Sequence, residues 1–344
     1  MNTEHKVKTT KVAVVGPNGN LGKYVVPALV AAGFEITLVT RTASKAEELK
    51  RSIIVQGGGG GGDTADTADT ANSDDAKDGA VVVIHVVQGD YTSAASLAKS
   101  LKGHDSVVSL LNRDQTAAQI QLVDAVLAAG VPHIVPAAFG VDTSRPEVRA
   151  LPHLAVAYVK SEDHLRDAIE RADGATTFTG IHNGAFLEWI FKFNYVINLV
   201  GKGDEDEPST IFDQGDVRMS ASSMWDIGKA VAVAVARRNE VAFRNKFLLM
   251  HNVTFSQNEL LGYAKDTLPD KPWPIVRVDT LEAERKSQEE FDSGNRAPVA
   301  MHGFFQRAFF GKGLGFFPET DNALLGVEEH DGEWLKDMVR TQLV

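Results

Sequence analysis

What this chain can become is decided first by a β-branched run, Val12-Ala13-Val14-Val15, which stops at Gly16-Pro17-Asn18-Gly19-Asn20-Leu21-Gly22 and passes straight into a helical pattern. Leu21, Val25, Leu29 and Val30 share one face of that pattern, the 3.6-residue period of an amphipathic helix. Strand, glycine-rich turn and helix in this order have specific physics. Gly16 permits a tight turn, Gly19 lets the backbone approach a pyrophosphate, Gly22 allows the helix to pack closely, and the helix N-terminus favours an anion. Gly33 then closes the helix, and residues 35–40 form a second β-branched strand ending Val39-Thr40-Arg41.

Further apolar runs at 81–87, 106–111, 134–136 and 176–181 alternate with helical stretches at 115–129 and 160–171. This alternation predicts an α/β fold with a doubly wound parallel sheet. Residues 56–79 break it with six consecutive glycines, Asp-Thr-Ala repeats and an acidic stretch, and are expected to be a disordered surface insert with no site. Beyond about Ala185 the alternation fades and Phe and Trp become frequent, at 186–195 and 304–317. The expected organisation is a nucleotide-binding domain over 1–182 and a smaller C-terminal α+β lobe over 183–344, partly interleaved with it. Such a lobe would form one wall of a substrate cleft.

Composition narrows the chemistry. A formal net charge of -11 repels phosphate backbones and anionic lipid, so neither nucleic acid nor a membrane is an expected partner. There is no cysteine, which removes disulfides and thiolate nucleophiles and leaves redox chemistry to a bound cofactor. The polar N-terminal stretch and the short apolar run after it do not read as a signal segment, so a cytoplasmic location is expected.

At the end of the second strand a carboxylate would bind the ribose hydroxyl of NAD, but this chain has Arg41. A guanidinium there suits the 2′-phosphate of NADP(H), with Thr42, Ser44 and Lys45 as further donors. Asn18, Asn20 and Leu21 sit in the glycine turn. Asp90 follows the third strand and is either an acceptor for the adenine amino group or part of a turn. Asn112 and Arg113 end the fourth strand, and Ala137 and Phe139 follow the fifth, where they would face ribose and nicotinamide. The Tyr-x-x-x-Lys pair of common short-chain dehydrogenases is absent. Lys160 is the candidate proton donor or orienting group, with a solvated surface lysine as the alternative. His182, Asn183 and Phe186 are candidate substrate contacts, and the aromatic cluster around Trp189 is either core or the lining for a planar substrate. No metal-ligand spacing stands out.

With these residues in hand, the chain resembles the NmrA-like and isoflavone-reductase-like family of atypical short-chain dehydrogenases. The resemblance rests on the segment from Val14 to Gly22, Arg41, the helix from Gln119 to Val131, Pro136 to Gly140, and Asn183-Gly184-Ala185-Phe186-Leu187. Asp226-Ile227-Gly228 and Ser256-Gln257-Asn258-Glu259-Leu260 extend it. It implies a Rossmann-type domain, NADP(H), and a small C-terminal substrate lobe. In catalytic relatives hydride passes from NADPH to a phenolic substrate with help from a helix lysine. The chain departs twice: Ala137 and Ala138 stand where the family often has Ser and Glu, and Lys160 falls about two residues early relative to Ala168-Ile169-Glu170. Two functions stay open. One is an NADPH-dependent reductase of a small aromatic or polyketide-like metabolite. The other is a non-catalytic NADP(H) sensor acting through a protein partner.

Overall fold

The computed structural model describes residues 9–58, 83–112, 114–152, 158–194, 196–199 and 207–343. Arg113 and the part of the expected insert beyond Gly58 lie outside them.

Seven parallel strands form the central sheet: β1 (Lys11–Val15), β2 (Glu35–Thr40), β3 (Ile84–Gln88), β4 (Ser106–Ser109), β5 (His133–Val135), β6 (Thr177–His182) and β10 (Lys246–Leu249). Their spatial order is β3-β2-β1-β4-β5-β6-β10, so the winding reverses between β1 and β4. The expected doubly wound sheet is therefore present. Residues Val12 to Val15 are fully buried, because a central parallel strand is covered on both faces and reads as an unbroken apolar run.

Its alternate residues separate into two cores. Val12 and Val14 pack with α1 (Gly22–Ala31), α2 (Ala43–Gly58) and α8 (Met224–Ala236). Ala13 and Val15 pack with α3 (Ala94–Leu101), α4 (Thr116–Ala129) and α6 (Lys160–Arg171), the last preceded by the short α5 (Pro146–Arg149). A Cβ on Gly228 would lie 2.7 Å from the Tyr24 carbonyl oxygen, so glycine is what lets α8 sit directly on α1. The seventh strand and α8 come from chain beyond residue 182. The expected first-domain segment thus does not contain the whole sheet.

The remaining strands are β7 (Ala185–Phe186), β8 (Ser209–Phe212), β9 (Met219–Ser222), β11 (Val253–Phe255) and β12 (Ile275–Val278), which make a three-stranded and a two-stranded sheet. With α7 (Leu187–Lys192), α9 (Gln257–Thr267) and helices after residue 280 they enclose a third core containing Ile190, Phe212, Phe255, Leu260, Phe304 and Leu335. The Ser256 landmark is a capping box: Ser256 Oγ accepts from the Glu259 amide, and the Glu259 carboxylate accepts from the Ser256 amide. Gln257 beside it donates to the carbonyls of Val196 and Thr210 and accepts from the Phe212 amide, which ties three segments together. Among the described residues no helix is long and apolar enough to cross a membrane.

Candidate functional site

The glycine loop lies at the carboxyl end of β1, at the point where the strand order reverses. In doubly wound sheets that point is the ligand crevice. Gly16 has φ of +80°, and its amide lies 3.2 Å from the Val39 carbonyl and 3.0 Å from Tyr91 Oη. The Tyr91 hydroxyl in turn donates to the Val39 carbonyl at 2.8 Å. This buried phenol stitches the loop to the end of β2, and the Arg41 guanidinium stands 5.4 Å above its ring. Sequence reading missed Tyr91, whose only signal was an aromatic residue just after Gly89-Asp90.

The three glycines differ in what the protein demands of them. A Cβ on Gly22 would come within 1.7 Å of the Pro17 carbonyl oxygen, whereas one on Gly19 would rest at an ordinary 3.5 Å from two carbonyls. The fold requires Gly22; at Gly19 it leaves room that a ligand can use. No side-chain oxygen caps the first turn of α1 among the described residues, so its amides can face an external anion. Asn18 holds Thr40 Oγ1 at 2.9 Å and braces the loop against β2. Arg41, Thr42, Ser44 and Lys45 are exposed around that strand end. Asp90 accepts from the amide and hydroxyl of Thr92, bonds that hold its carboxyl below the usual range, and so it closes a turn.

A cleft of about 610 Å³ runs from this loop into the second lobe. Near the loop its wall is Asn20, Leu21, Leu110, Leu111 and Asn112, followed by Ala137, Phe139 and Gly140. The far wall is Tyr158, Phe186, Trp189, Phe305, Phe309 and Phe310. Phe186 and Trp189 lie 4.6 Å apart between ring centroids, and Phe305 and Phe309 4.3 Å apart. The aromatic residues that the sequence left undecided between core and lining include these cleft walls. Of the remaining wall residues, Met219 and Ser220 come from β9.

Three expected positions need correction. Lys160 is exposed at the start of α6 and does not line the cleft. His182, only 1% exposed, also lies outside it: Nδ1 is 3.0 Å from the Ala138 carbonyl, Nε2 is 3.2 Å from Thr143 Oγ1, and the ring stacks on Phe247. Burial pushes its pKa down to about 4 despite the Ala138 bond and nearby Asp142. Asn183 is fully buried, with its carbonyl accepting from Ser222 Oγ, and it does not line the cleft.

Glu162, two residues beyond Lys160, is the group that sequence reading passed over. It is 4% exposed, and Thr143 Oγ1 lies 2.6 Å from its Oε2. The Arg149 guanidinium is 3.7 Å away. Burial outweighs these partners and pushes its pKa up to about 7 from the usual 4.5. The native state therefore keeps a proton that the unfolded chain has already released. Relative to a Glu162→Gln variant, the wild type is expected to lose about 3 kcal/mol as pH rises from 4.5 to 8, because each tenfold difference in proton affinity between the two states is worth about 1.4 kcal/mol. Urea unfolding of both proteins across that range checks this, and identical pH dependences would mean that the carboxyl is not desolvated.

A family model described as the NmrA-like family matches residues 8–267. The chain is 27% identical over 295 residues to the oxidoreductase aprR of Aspergillus flavus, an alignment covering 85% of each. It is 26% identical over 256 residues to the isoflavone reductase homolog IRL of Zea mays, covering 74% of this chain and 72% of that one. The structure of a binary complex of leucoanthocyanidin reductase with NADPH from Vitis vinifera aligns with a TM-score of 0.70 at 20% identity, covering 96% of this chain and 99% of that one.

Proposed function

Since the chain belongs to the NmrA-like family, we propose that it is an NADPH-dependent oxidoreductase that reduces a small planar aromatic or polyketide-like compound. The observation that carries this reading is the continuity of one cleft, from the loop at Asn20 and Leu21 to the aromatic wall of Phe186, Trp189, Phe305 and Phe309. Its volume suits a nicotinamide end and one drug-sized ring system together. The names of the relatives, an oxidoreductase and an isoflavone reductase homolog, support the same reaction class.

NADPH, when bound, supplies hydride. The chain's own contribution is to hold and select it. In this reading Gly16, Gly19 and the α1 amides hold the pyrophosphate, and Arg41, which stands over the Tyr91 ring, holds the 2′-phosphate. Arg41→Ala is expected to weaken NADPH binding about thirtyfold while leaving NADH within about twofold, the value of a charge-assisted hydrogen bond to phosphate. Calorimetric titration with both nucleotides measures this, and an unchanged NADPH affinity would remove Arg41 from the site.

Turnover is tested by NADPH oxidation against quinones, enones and phenolic ethers. The exposed position of Lys160 favours a second reading, a dinucleotide sensor that acts through a protein partner. Tight NADPH binding with no oxidation across the panel would favour that sensor over the reductase.

A further inference from the structure

Adjoining the cleft is a second, much smaller cavity of about 20 Å³, which shares Ala137 and Tyr158 with it. That is room for one water molecule. Its polar lining is Ser109, Gln119, Ser161 and Glu162. Ser109 Oγ and Glu162 Oε1 are both buried, and neither has a hydrogen-bond partner among the described residues. Two orphaned polar atoms on residues that line one water-sized space are unusual in a folded interior, where such groups are normally satisfied. A water there would satisfy both.

The other carboxylate oxygen leads into a buried chain whose protons can be counted. The Ala138 carbonyl only accepts, so His182 Nδ1 carries the hydrogen between them and a neutral ring leaves Nε2 as an acceptor. Thr143 has one proton for two neighbours, His182 Nε2 and Glu162 Oε2. With Glu162 ionised, that proton goes to the carboxylate and the imidazole nitrogen has no donor. With Glu162 protonated, the carboxyl donates to Thr143 Oγ1, Thr143 donates to His182, and every contact is satisfied.

From this we infer that Glu162 is the proton-carrying acid of the site, and that a water held between its Oε1 and Ser109 Oγ passes the proton toward the cleft beside Ala137 and Tyr158. The inference rests on the reductase reading. In one turnover the substrate gains hydride and its two electrons at carbon, and a proton at oxygen from the water. The Glu162 carboxyl turns its O–H from Thr143 to the water, and that O–H bond breaks to restore the water. Thr143 turns its own proton from His182 to the new carboxylate, and the carboxylate regains its proton from solvent. Thr143, Ser109 and His182 are positioning residues in this arrangement.

The charges facing Glu162 come from several elements. Arg149 lies on α5, Asp163 and Arg166 on its own helix, and Asp142 beside Thr143. On α4, which packs along α6, Asp124 is paired with His164. The arginines favour the carboxylate and Asp163 opposes it, yet burial keeps the proton in place to about neutral pH. Turnover that needs this proton falls as pH rises through 7.

The test uses Glu162→Gln, which keeps the shape but carries no acidic proton. Infrared difference spectra of the cofactor-free wild type between pH 5 and 9 are expected to show a carboxylic acid carbonyl band titrating near 7 that is missing in the variant. NADPH affinity should stay within about threefold, kcat should fall about a hundredfold or more, and the pH limb near 7 should vanish. Retained turnover with an unchanged pH limb, or no such band, would overturn the proposal. If the glutamine variant does not fold, Ser109→Ala carries the test, and an unchanged kcat with an unchanged pH midpoint overturns the water route. If the wild type oxidises NADPH with none of the quinones, enones or phenolic ethers, the reductase reading fails. The infrared band alone then decides whether Glu162 holds the proton.

Discussion

Alanine at position 22 is expected to cost the folded state about 3 kcal/mol and to abolish dinucleotide binding with it. The added methyl carbon would sit 1.7 Å from the Pro17 carbonyl oxygen and 2.6 Å from the carbonyl carbon, both parts of a backbone held by neighbouring turns. Alanine is normally the better helix former by about 1 kcal/mol, so a large loss at a first-turn position isolates the clash from helix propensity. The loop must move to relieve it. That movement pulls on Gly16, whose amide is fastened to the Val39 carbonyl and to Tyr91. Urea unfolding and NADPH titration of Gly22→Ala measure the two effects together. Wild-type stability in this variant would show that the loop yields easily and that Gly22 is dispensable for its shape.

Gly19→Val should separate what Gly22→Ala joins. A Cβ at Gly19 meets only ordinary contacts, from the carbonyls of Gly16 and Leu110 at 3.5 Å, and Gly19 is not among the residues with positive φ. Stability is expected to change by less than about 1 kcal/mol. NADPH affinity is expected to fall about a hundredfold, roughly 3 kcal/mol, because the bulk replaces the close backbone approach that a pyrophosphate needs. A valine variant that unfolds early would show that glycine at 19 serves the loop itself. One that binds NADPH normally would remove the loop from the cofactor site.

The fold was legible where local pattern and tertiary role coincide. β1 reads as a buried parallel strand because both of its faces are covered, and α6 occupies the residues 160–171 that its pattern predicted. Gly33 closes α1 with φ of +80°, as its place in the sequence suggested. The return of the chain to the main sheet was not legible in detail. Nothing local in Lys246–Leu249 says that its partner is β6, since a short apolar strand fits any open edge. The turn through Gly16, Gly19 and Gly22 could be read because a tight turn leaves a sequence signature. Glu162 could not. Beside Asp163 at a helix start it looks like a solvated acid, and its burial arises only when Thr143 and, from α5, Arg149 fold over it. Tyr91 was hidden for the same reason, being defined by a hydroxyl that reaches across two strand ends.

The late arrival of β10 and α8 bears on modularity. A chain cut after His182 would keep the nucleotide loop but leave β6 as a bare edge, a template for pairing with another molecule. It would also uncover the face of α1 on which Ile227, Val231 and Val235 pack. The half that carries the glycine loop is therefore not an exchangeable cassette. Its last strand and one of its covering helices are translated after the cleft-lining aromatics Phe139, Tyr158, Phe186 and Trp189, so the half with the glycine loop and the aromatic wall must be inherited, and folded, together.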